Sequence, residues 1–564
     1  MPKQNVSKKT KTSTKYLFVT GGVISGLGKG ISTAAIALLL KSTGYKISVL
    51  KVDMYLNIDA GTMNPLEHGE VFVTDDGLET DQDLGNYERF LNQTLHKHNY
   101  LTMGQVYWEV LNKERSLGYK GATVQGHIHI PEAIIEKIIN AGKKDDADIV
   151  LVEVGGTVGE YQNVMFFEAI RRMKQKYPQD VFIIHLVYLL LMDSLGELKS
   201  KPAQASIYEL YKLGLHPDMV ICRSKEEMDD KRKLRISENT GINEEYIIKA
   251  QDVKSIYEIP IIFSEQKARS KLLTLMGLKR NDKDLADWEK MIKRSKTSKK
   301  EVKIAIVGKY FTSGSYSLED AYVCVIEAIK HASWAQNAKP IIKWFDVEQF
   351  EDKKTRTTME KELAEYDGVI IPQGWGSRGV EGKIEVIRFL RENKIPYFGL
   401  CFGMQMATVE YARTVLKLKD ANSEEANPQT KYPVIHIMPN QKEYLAKKQY
   451  GGTIRLGSWP CKVKEGSLLE YAYKKFGKDD IEKGIINERH RHRYEVNNEY
   501  KEALNNAGLI ISGTSPDGTL AEVIELSQKI HPFFLGTQFH PEYKSWPLKP
   551  HPLFMAFIEA CLKH

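Results

Sequence analysis

Cysteine is scarce in this chain of 564 residues: the five present, Cys222, Cys324, Cys401, Cys461 and Cys561, are odd in number, widely spaced and form no C-x-x-C pair. That pattern argues against a disulfide framework and a structural zinc site, so a cysteine with a chemical task acts alone. Long apolar runs are lacking too. No stretch approaches the length needed to cross a bilayer without charges, and a membrane protein is not expected. Nor is there a long block of one charge: the formal charge of +7 is small for this length and dispersed, which suits phosphate-bearing ligands without calling for nucleic acid. The first fifteen residues hold Lys3, Lys8, Lys9, Lys11 and Lys15 with no apolar stretch behind them. Residues 1–15 therefore read as a disordered basic tail and the protein as cytoplasmic.

What is present is a soluble-type composition, 42% hydrophobic and 27% charged, at a length that asks for two large domains. A charged stretch, RNDKDLADWEKMIKRSKTSKKE, breaks the rhythm at residues 280–301 and reads as a linker with a short helix around Trp288. It separates residues 16–279 from 302–564. On its N-terminal side, apolar runs (Tyr16 to Thr20, Ile47 to Val52, Ile149 to Val154, Val181 to Val187, Asp218 to Cys222) alternate with helical patterns. One of those helices is expected to bury a stripe of Ile31, Ala34, Ala35, Leu38 and Leu39. The C-terminal side repeats the style at Ile304 to Val307, Gly368 to Ile371 and Tyr397 to Leu400. The expected fold class is α/β, with two doubly wound, mostly parallel sheets.

Directly after the first expected strand comes TGGVISGLGKGIST, Thr20 to Thr33, which runs into a helix. A glycine-rich turn in that context lets backbone N–H groups wrap a phosphate while Lys29 reaches the outer phosphates. Five residues rather than four separate Gly22 from Gly28-Lys29, and Gly30 stands where Ser or Thr would meet Mg²⁺. The glycines alone could serve a tight turn; the flanking strand and helix favour the nucleotide reading. Carboxylates able to share a divalent cation with phosphates follow in Asp81, Asp83 and Glu153, and Lys51 ends a strand that could face the same crevice.

In the other half, YFGLCFGM places Cys401 between small residues after a strand, the cysteine form of a nucleophile elbow. The turn sets the thiol at a helix N-terminus, whose field favours the thiolate. TQFHPEYKS then supplies His540 and Glu542, an imidazole to take the proton and a carboxylate to orient it.

The runs FVTGGVISGLGKG, GTMNPLEHGEVFVTDDGLETDQDLGNYERF, GATVQGHIH, VEVGGTVGE and LKSKPAQAS resemble the synthetase domain of CTP synthases, a P-loop-like amidoligase. The second half looks like a class I glutamine amidotransferase. The resemblance implies that Ser25 contacts the pyrimidine nucleotide. It assigns ATP to Gly26, Leu27, Gly28, Lys29, Gly30, Ile31, Lys51 and Asp83, and Mg²⁺ to Asp83 and Glu153. Glu160, Gln162, Lys199, Ser200, Lys201, Pro202, Ala203, Gln204 and Arg235 fall where the family reads UTP and the inhibitor CTP. Gly374, Phe402, Gly403, Met404, Gln405, Glu425 and Arg491 fall where it holds glutamine, and the catalytic set is Cys401, His540 and Glu542.

Several positions depart from the family pattern. Ser200 and Ala203 replace threonines, Ala205 a histidine and Arg235 a lysine; Glu160 and Gln162 replace an acidic pair, and HLVYLLLMDS lacks Val-Pro-Tyr. The phosphate and metal groups are kept while the base-reading ones have drifted, so an altered CTP affinity is expected. Gln373 replaces the first glycine of Pro-Gly-Gly-Phe-Gly in the oxyanion loop, and strain is expected there if the position needs positive φ. The resemblance also implies the chemistry. ATP phosphorylates O4 of UTP, and ammonia from glutamine, or supplied directly, displaces phosphate at C4 in the last step of de novo CTP synthesis. It further implies a homotetramer and stimulation by GTP. Two rivals fit less well: an amidoligase with a carboxylate substrate should lack LKSKPAQAS, and a non-enzymatic scaffold should have lost Cys401 or His540.

Overall fold

The computed structural model describes residues 13–564 except 25, 65–68, 193–195, 280–284, 310–311, 314–315, 318–321, 448 and 450. Its residues group into two compact units, Met1–Ile58 with His98–Leu285 and Asp59–Lys97 with Ala286–His564. Residues 59–97, which lie within the first half of the sequence, thus cluster with the second.

In the first unit, six-residue runs such as Ile149–Val154 are buried at every position, as strands covered on both faces must be. The sheet runs in the order Ile247–Gln251, Met219–Ser224, Val181–Met192, Lys15–Gly21, Ile149–Val154, Ile47–Asp53, Tyr100–Thr102. All these neighbours are parallel, and the short strand Glu197–Lys199 adds antiparallel to the end of Val181–Met192. The chain's first strand is therefore central, and its C-terminal end opens on the glycine-rich turn. The helix behind that turn, Lys29–Lys41, does not bury a single stripe as expected. Ala34, Ala35, Ile36, Ala37, Leu39 and Leu40 are all fully buried, with Ile31 and Leu38 only half-buried, because its small alanines allow close packing on several sides.

The second unit's sheet is mixed. Ala338–Asp346, Lys300–Gly308, Gly368–Ile371, Tyr397–Leu400 and Phe534–Thr537 are parallel. Ala521–Glu525, Ile510–Thr514, Arg455–Val463 and Ile485–His492 continue it antiparallel. The expected short helix is Ala286–Thr297, with Trp288 buried and its ring 5.2 Å from that of Phe90. The end of the expected linker is strand instead, since Lys300 opens Lys300–Gly308.

Residues 59–97 are held to this unit by charge as well as by packing. Arg489 and Glu88, both fully buried side chains, pair through two hydrogen bonds of 3.0 and 2.9 Å, and Asp75 adds a third carboxylate contact. Burying a guanidinium is tolerable only with such partners. Among the described residues no helix is long and apolar enough to cross a membrane.

Candidate active site

Adjacent parallel strands end together, so the ends of Gly368–Ile371, Tyr397–Leu400 and Phe534–Thr537 gather loops at one edge of the second sheet. Cys401 stands between the middle strand and the helix Phe402–Thr414 with φ 49° and ψ −98°, a conformation non-glycine residues rarely adopt. Small neighbours make this turn possible. A Cβ on Gly403 would overlap the carbonyl oxygen of Ile371, and one on Gly399 the hydroxyl of Tyr397. The Cys401 backbone N–H donates to Thr537 O at 2.7 Å, tying the elbow to the neighbouring strand.

His540 follows the next strand. Its Nδ1 lies 2.7 Å from Glu542 Oε1, its ring stacks on Tyr543 with centroids 5.0 Å apart, and all three residues are buried. Burial disfavours the imidazolium, but the neighbouring Glu542 and Cys401 outweigh it and raise the His540 pKa to about 10. His540 is thus held as an imidazolium beside the Cys401 sulfur. Gln538 Nε2 donates to Cys401 Sγ at 3.5 Å, a contact sequence reasoning missed although Gln538 sits two residues before His540.

The residues expected to hold glutamine surround this triad. Phe402, Gly403, Met404 and Gln405 form the buried first turn behind Cys401, and Gln405 Nε2 donates to Tyr494 O at 2.9 Å. Glu425, its carboxyl pushed up by burial, accepts the Gly376 N–H at 2.7 Å. The Arg491 carbonyl lies near Cys401 Sγ at 3.9 Å, while its guanidinium donates to Glu79 Oε1 at 2.8 Å and lies over the Trp375 ring. Buried Lys309 and Lys383 also went unnoticed in the sequence. Both flank Gly374 and lie over the Phe402 ring, and Lys383 Nζ donates to Pro372 O at 3.3 Å. Burial holds Lys309 down at about 8 and Lys383 well below the usual lysine range. The strain expected at Gln373 does not arise: it is absent from the described residues with positive φ.

In the first unit the turn before Lys29 takes positive φ at Val23, Gly26 and Gly28. Lys29 opens the helix and donates to Gly156 O at 2.7 Å; Leu27 and Gly30 are buried. Ser25 lies outside the described residues. Lys51 and Glu153 are register partners on neighbouring strands, with Nζ 3.2 Å from Glu153 Oε1 and 3.6 Å from Asp53 Oδ1. Asp83, expected in an acidic loop, instead opens the second unit's helix Asp83–Leu91, its N–H donating to Asp81 Oδ1 at 2.9 Å. Glu160 accepts from Thr157 N–H at 2.9 Å and Gln162 is exposed in the following turn. Ser200 precedes the helix Lys201–Lys212, in which Pro202 and Gln204 are half-buried and Ala203 is fully buried; Lys199 pairs with Glu197 at 2.8 Å, and Arg235 is exposed.

Comparison with known proteins covers both units. The CTP synthase N-terminus family model matches residues 15–278 and the class-I glutamine amidotransferase model residues 317–560. A CTP synthase of Carboxydothermus hydrogenoformans is 48% identical over 551 residues, 98% of this chain and 99% of that protein. One of Caldanaerobacter subterraneus is 46% identical over 549 residues, 97% and 98% of the two chains. Among solved structures, the glutaminase domain of a Trypanosoma brucei CTPS with bound acivicin is 36% identical, covering 46% of this chain and 94% of that one, at a TM-score of 0.41.

Proposed function

The chain belongs to the CTP synthase family, ligases that aminate UTP to CTP with nitrogen from glutamine, and on that premise we propose which of its residues carry out each part of the reaction. Glutamine is cleaved at Cys401. The thiolate attacks the side-chain amide, the His540 imidazolium gives its proton to departing ammonia, and water then releases glutamate from the thioester with His540 as base. Glu542 keeps the ring oriented and its charge matched. Backbone N–H groups in the turn that follows Pro372, and that of Phe402, would stabilise the developing oxyanion.

The nucleotide work falls to the first unit. N–H groups of the Gly26–Ile31 segment wrap the ATP triphosphate at a helix N-terminus, and Lys29 reaches its outer oxygens. The phosphoryl group passes to O4 of UTP, which converts a poor leaving group into phosphate, and ammonia displaces it at C4. Mg²⁺ fits the donor chemistry here: Glu153 and Asp53 are buried carboxylates grouped around Lys51, and such a cation asks for one or two carboxylates plus phosphate oxygens. Glu153 would hold the ion, which when bound neutralises phosphate charge. The drifted positions Glu160, Gln162, Ser200, Ala203 and Arg235 alter CTP affinity, and inhibition by CTP at family-typical concentrations would remove that reading. The homotetramer is supported by an apolar exposed face on this unit, where Leu56, Trp108, Leu111 and Tyr161 are 69%, 65%, 58% and 96% exposed; sedimentation with and without nucleotides tests it. GTP stimulation is tested by adding GTP to the glutamine-dependent assay.

One observation carries the glutaminase assignment: a buried cysteine at an unfavourable φ, hydrogen-bonded by Gln538 and served by a histidine and carboxylate 2.7 Å apart. Incubation with UTP, ATP and Mg²⁺ tests it. CTP should form from glutamine or ammonium in the wild type and from ammonium alone in Cys401→Ala.

A further inference from the structure

Gln373 begins the turn beside Cys401 with a side chain where the resemblance expects none, and that side chain is anchored. Its strand, Gly368–Ile371, is the parallel neighbour of the strand leading to Cys401. The Ile371 carbonyl abuts Gly403, and a Cβ on Gly374 would lie 3.7 Å from the Phe402 ring. The peptides at 372–374 are therefore packed on the first turn of the helix behind the nucleophile.

Two bonds fix Gln373 itself: Nε2 donates to Glu70 Oε1 at 2.8 Å, and its carbonyl accepts from Tyr322 Oη at 3.2 Å. Glu70 is only 4% exposed, and its other oxygen accepts the Cys324 N–H at 2.7 Å, in the first turn of the helix Val323–Ala335. Gln373 Oε1 is buried without a hydrogen-bond partner among the described residues. This leaves two ways to satisfy the pair. An ionised Glu70 accepts from Nε2 in a charge-assisted bond. A protonated Glu70 can instead donate its O–H to Oε1 once the amide turns over, and the stronger bond is lost.

We propose that Gln373 is a positioning residue for glutamine hydrolysis, its amide anchored on the Glu70 carboxylate so that the N–H groups beside Cys401 are held best when Glu70 is ionised. This rests on the reading of Cys401 as nucleophile. Burial pushes the Glu70 carboxyl up to about 7, opposed by the Cys324 N–H and by Arg89, and reinforced by Glu542. Arg89 belongs to the helix Asp83–Leu91, Cys324 to Val323–Ala335, and Glu542, with its neighbour Tyr543, to the turn Pro541–Lys544. The change in protonation therefore falls within an ordinary assay range.

The test measures glutamine hydrolysis and ammonium-dependent CTP formation from about pH 6 to 9. It uses the full chain, Gln373→Leu, Glu70→Gln, the double variant and Cys401→Ala. The expected result is a rise in wild-type kcat through a step near pH 7 that both single variants lack. Gln373→Leu should lose roughly tenfold in kcat with KM little changed. The double variant should be no worse than the poorer single one. A step near pH 7 surviving in Gln373→Leu or Glu70→Gln, or losses that multiply, would overturn the proposal. Should Glu70→Gln lose ammonium-dependent synthesis as well, it has misfolded and the Gln373→Leu profile decides. Glutamine hydrolysis persisting in Cys401→Ala would overturn the underlying nucleophile reading instead.

Discussion

The two strand-to-helix turns proposed to carry the chemistry differ in length. Residues 22–28 separate the strand Lys15–Gly21 from the helix Lys29–Lys41, whereas Cys401 alone separates Tyr397–Leu400 from Phe402–Thr414. Both place a helix N-terminus at the end of a buried parallel strand, where its field favours negative charge. The long turn is the one proposed to wrap a phosphate, and glycines at 26 and 28 absorb much of the positive φ among its described residues. The short turn holds Cys401 alone, so the unfavourable φ falls on the proposed nucleophile. On the proposed roles, a shared local design serves as a phosphate cradle or as a nucleophile's seat according to loop length.

Five substitutions would break or sharpen this comparison. Cys401→Ala removes the proposed nucleophile and should lower glutamine-dependent CTP formation by at least roughly 10⁴-fold, with ammonium-dependent formation kept. Lys29→Ala strips the longer turn of its cation. CTP from either nitrogen source should fall roughly 10² to 10³-fold, while Cys401 still acylates with a glutamine analogue. Glu542→Gln should cost roughly 10²-fold in glutamine hydrolysis and lower the His540 pKa from about 10. The sign follows from linkage: a histidine whose folded pKa is raised contributes stability below its unfolded pKa and loses it as pH rises through the folded value. The wild type should therefore lose that stability as pH rises toward about 10, and the variant at lower pH, as read by thermal unfolding across pH. Smallest is Gly403→Ala, whose added methyl meets the Ile371 carbonyl; it should cost about 1 to 3 kcal/mol in thermal or denaturant unfolding. The same substitution at Gly26, where a Cβ meets nothing within 4 Å, should strain only the backbone.

Both turns were legible in the sequence because each lies between a continuous apolar run and a helix start. The parallel strands were legible for the same reason, since a strand covered on both faces has no polar positions to confuse the eye. The antiparallel extension of the second sheet was not. Arg455–Val463 reads RLGSWPCKV, with a glycine and a proline inside it, and Ile485–His492 reads IINERHRH, a basic run on its face. Arg489, His490 and Arg491 are nevertheless buried. The acceptors of Arg489 and Arg491, Glu88 and Glu79, lie 401 and 412 residues earlier, and no local pattern announces such pairing. Gln373 misled for a different reason: the turn keeps negative φ there, and the missing glycine is replaced by an anchored amide rather than by strain.

The grouping of residues 59–97 with the second unit has a practical corollary. The polypeptide passes between the units after Ile58, before His98 and again after Leu285. A protease nick within 280–284 would sever one of these three connections. The N-terminal fragment would still carry Glu88 and Asp75 against Arg489, Glu79 against Arg491 and the Val71 carbonyl against Tyr543. The two fragments should therefore co-elute on gel filtration and separate only in denaturant, so a clipped preparation would pass for an intact one until run on a denaturing gel.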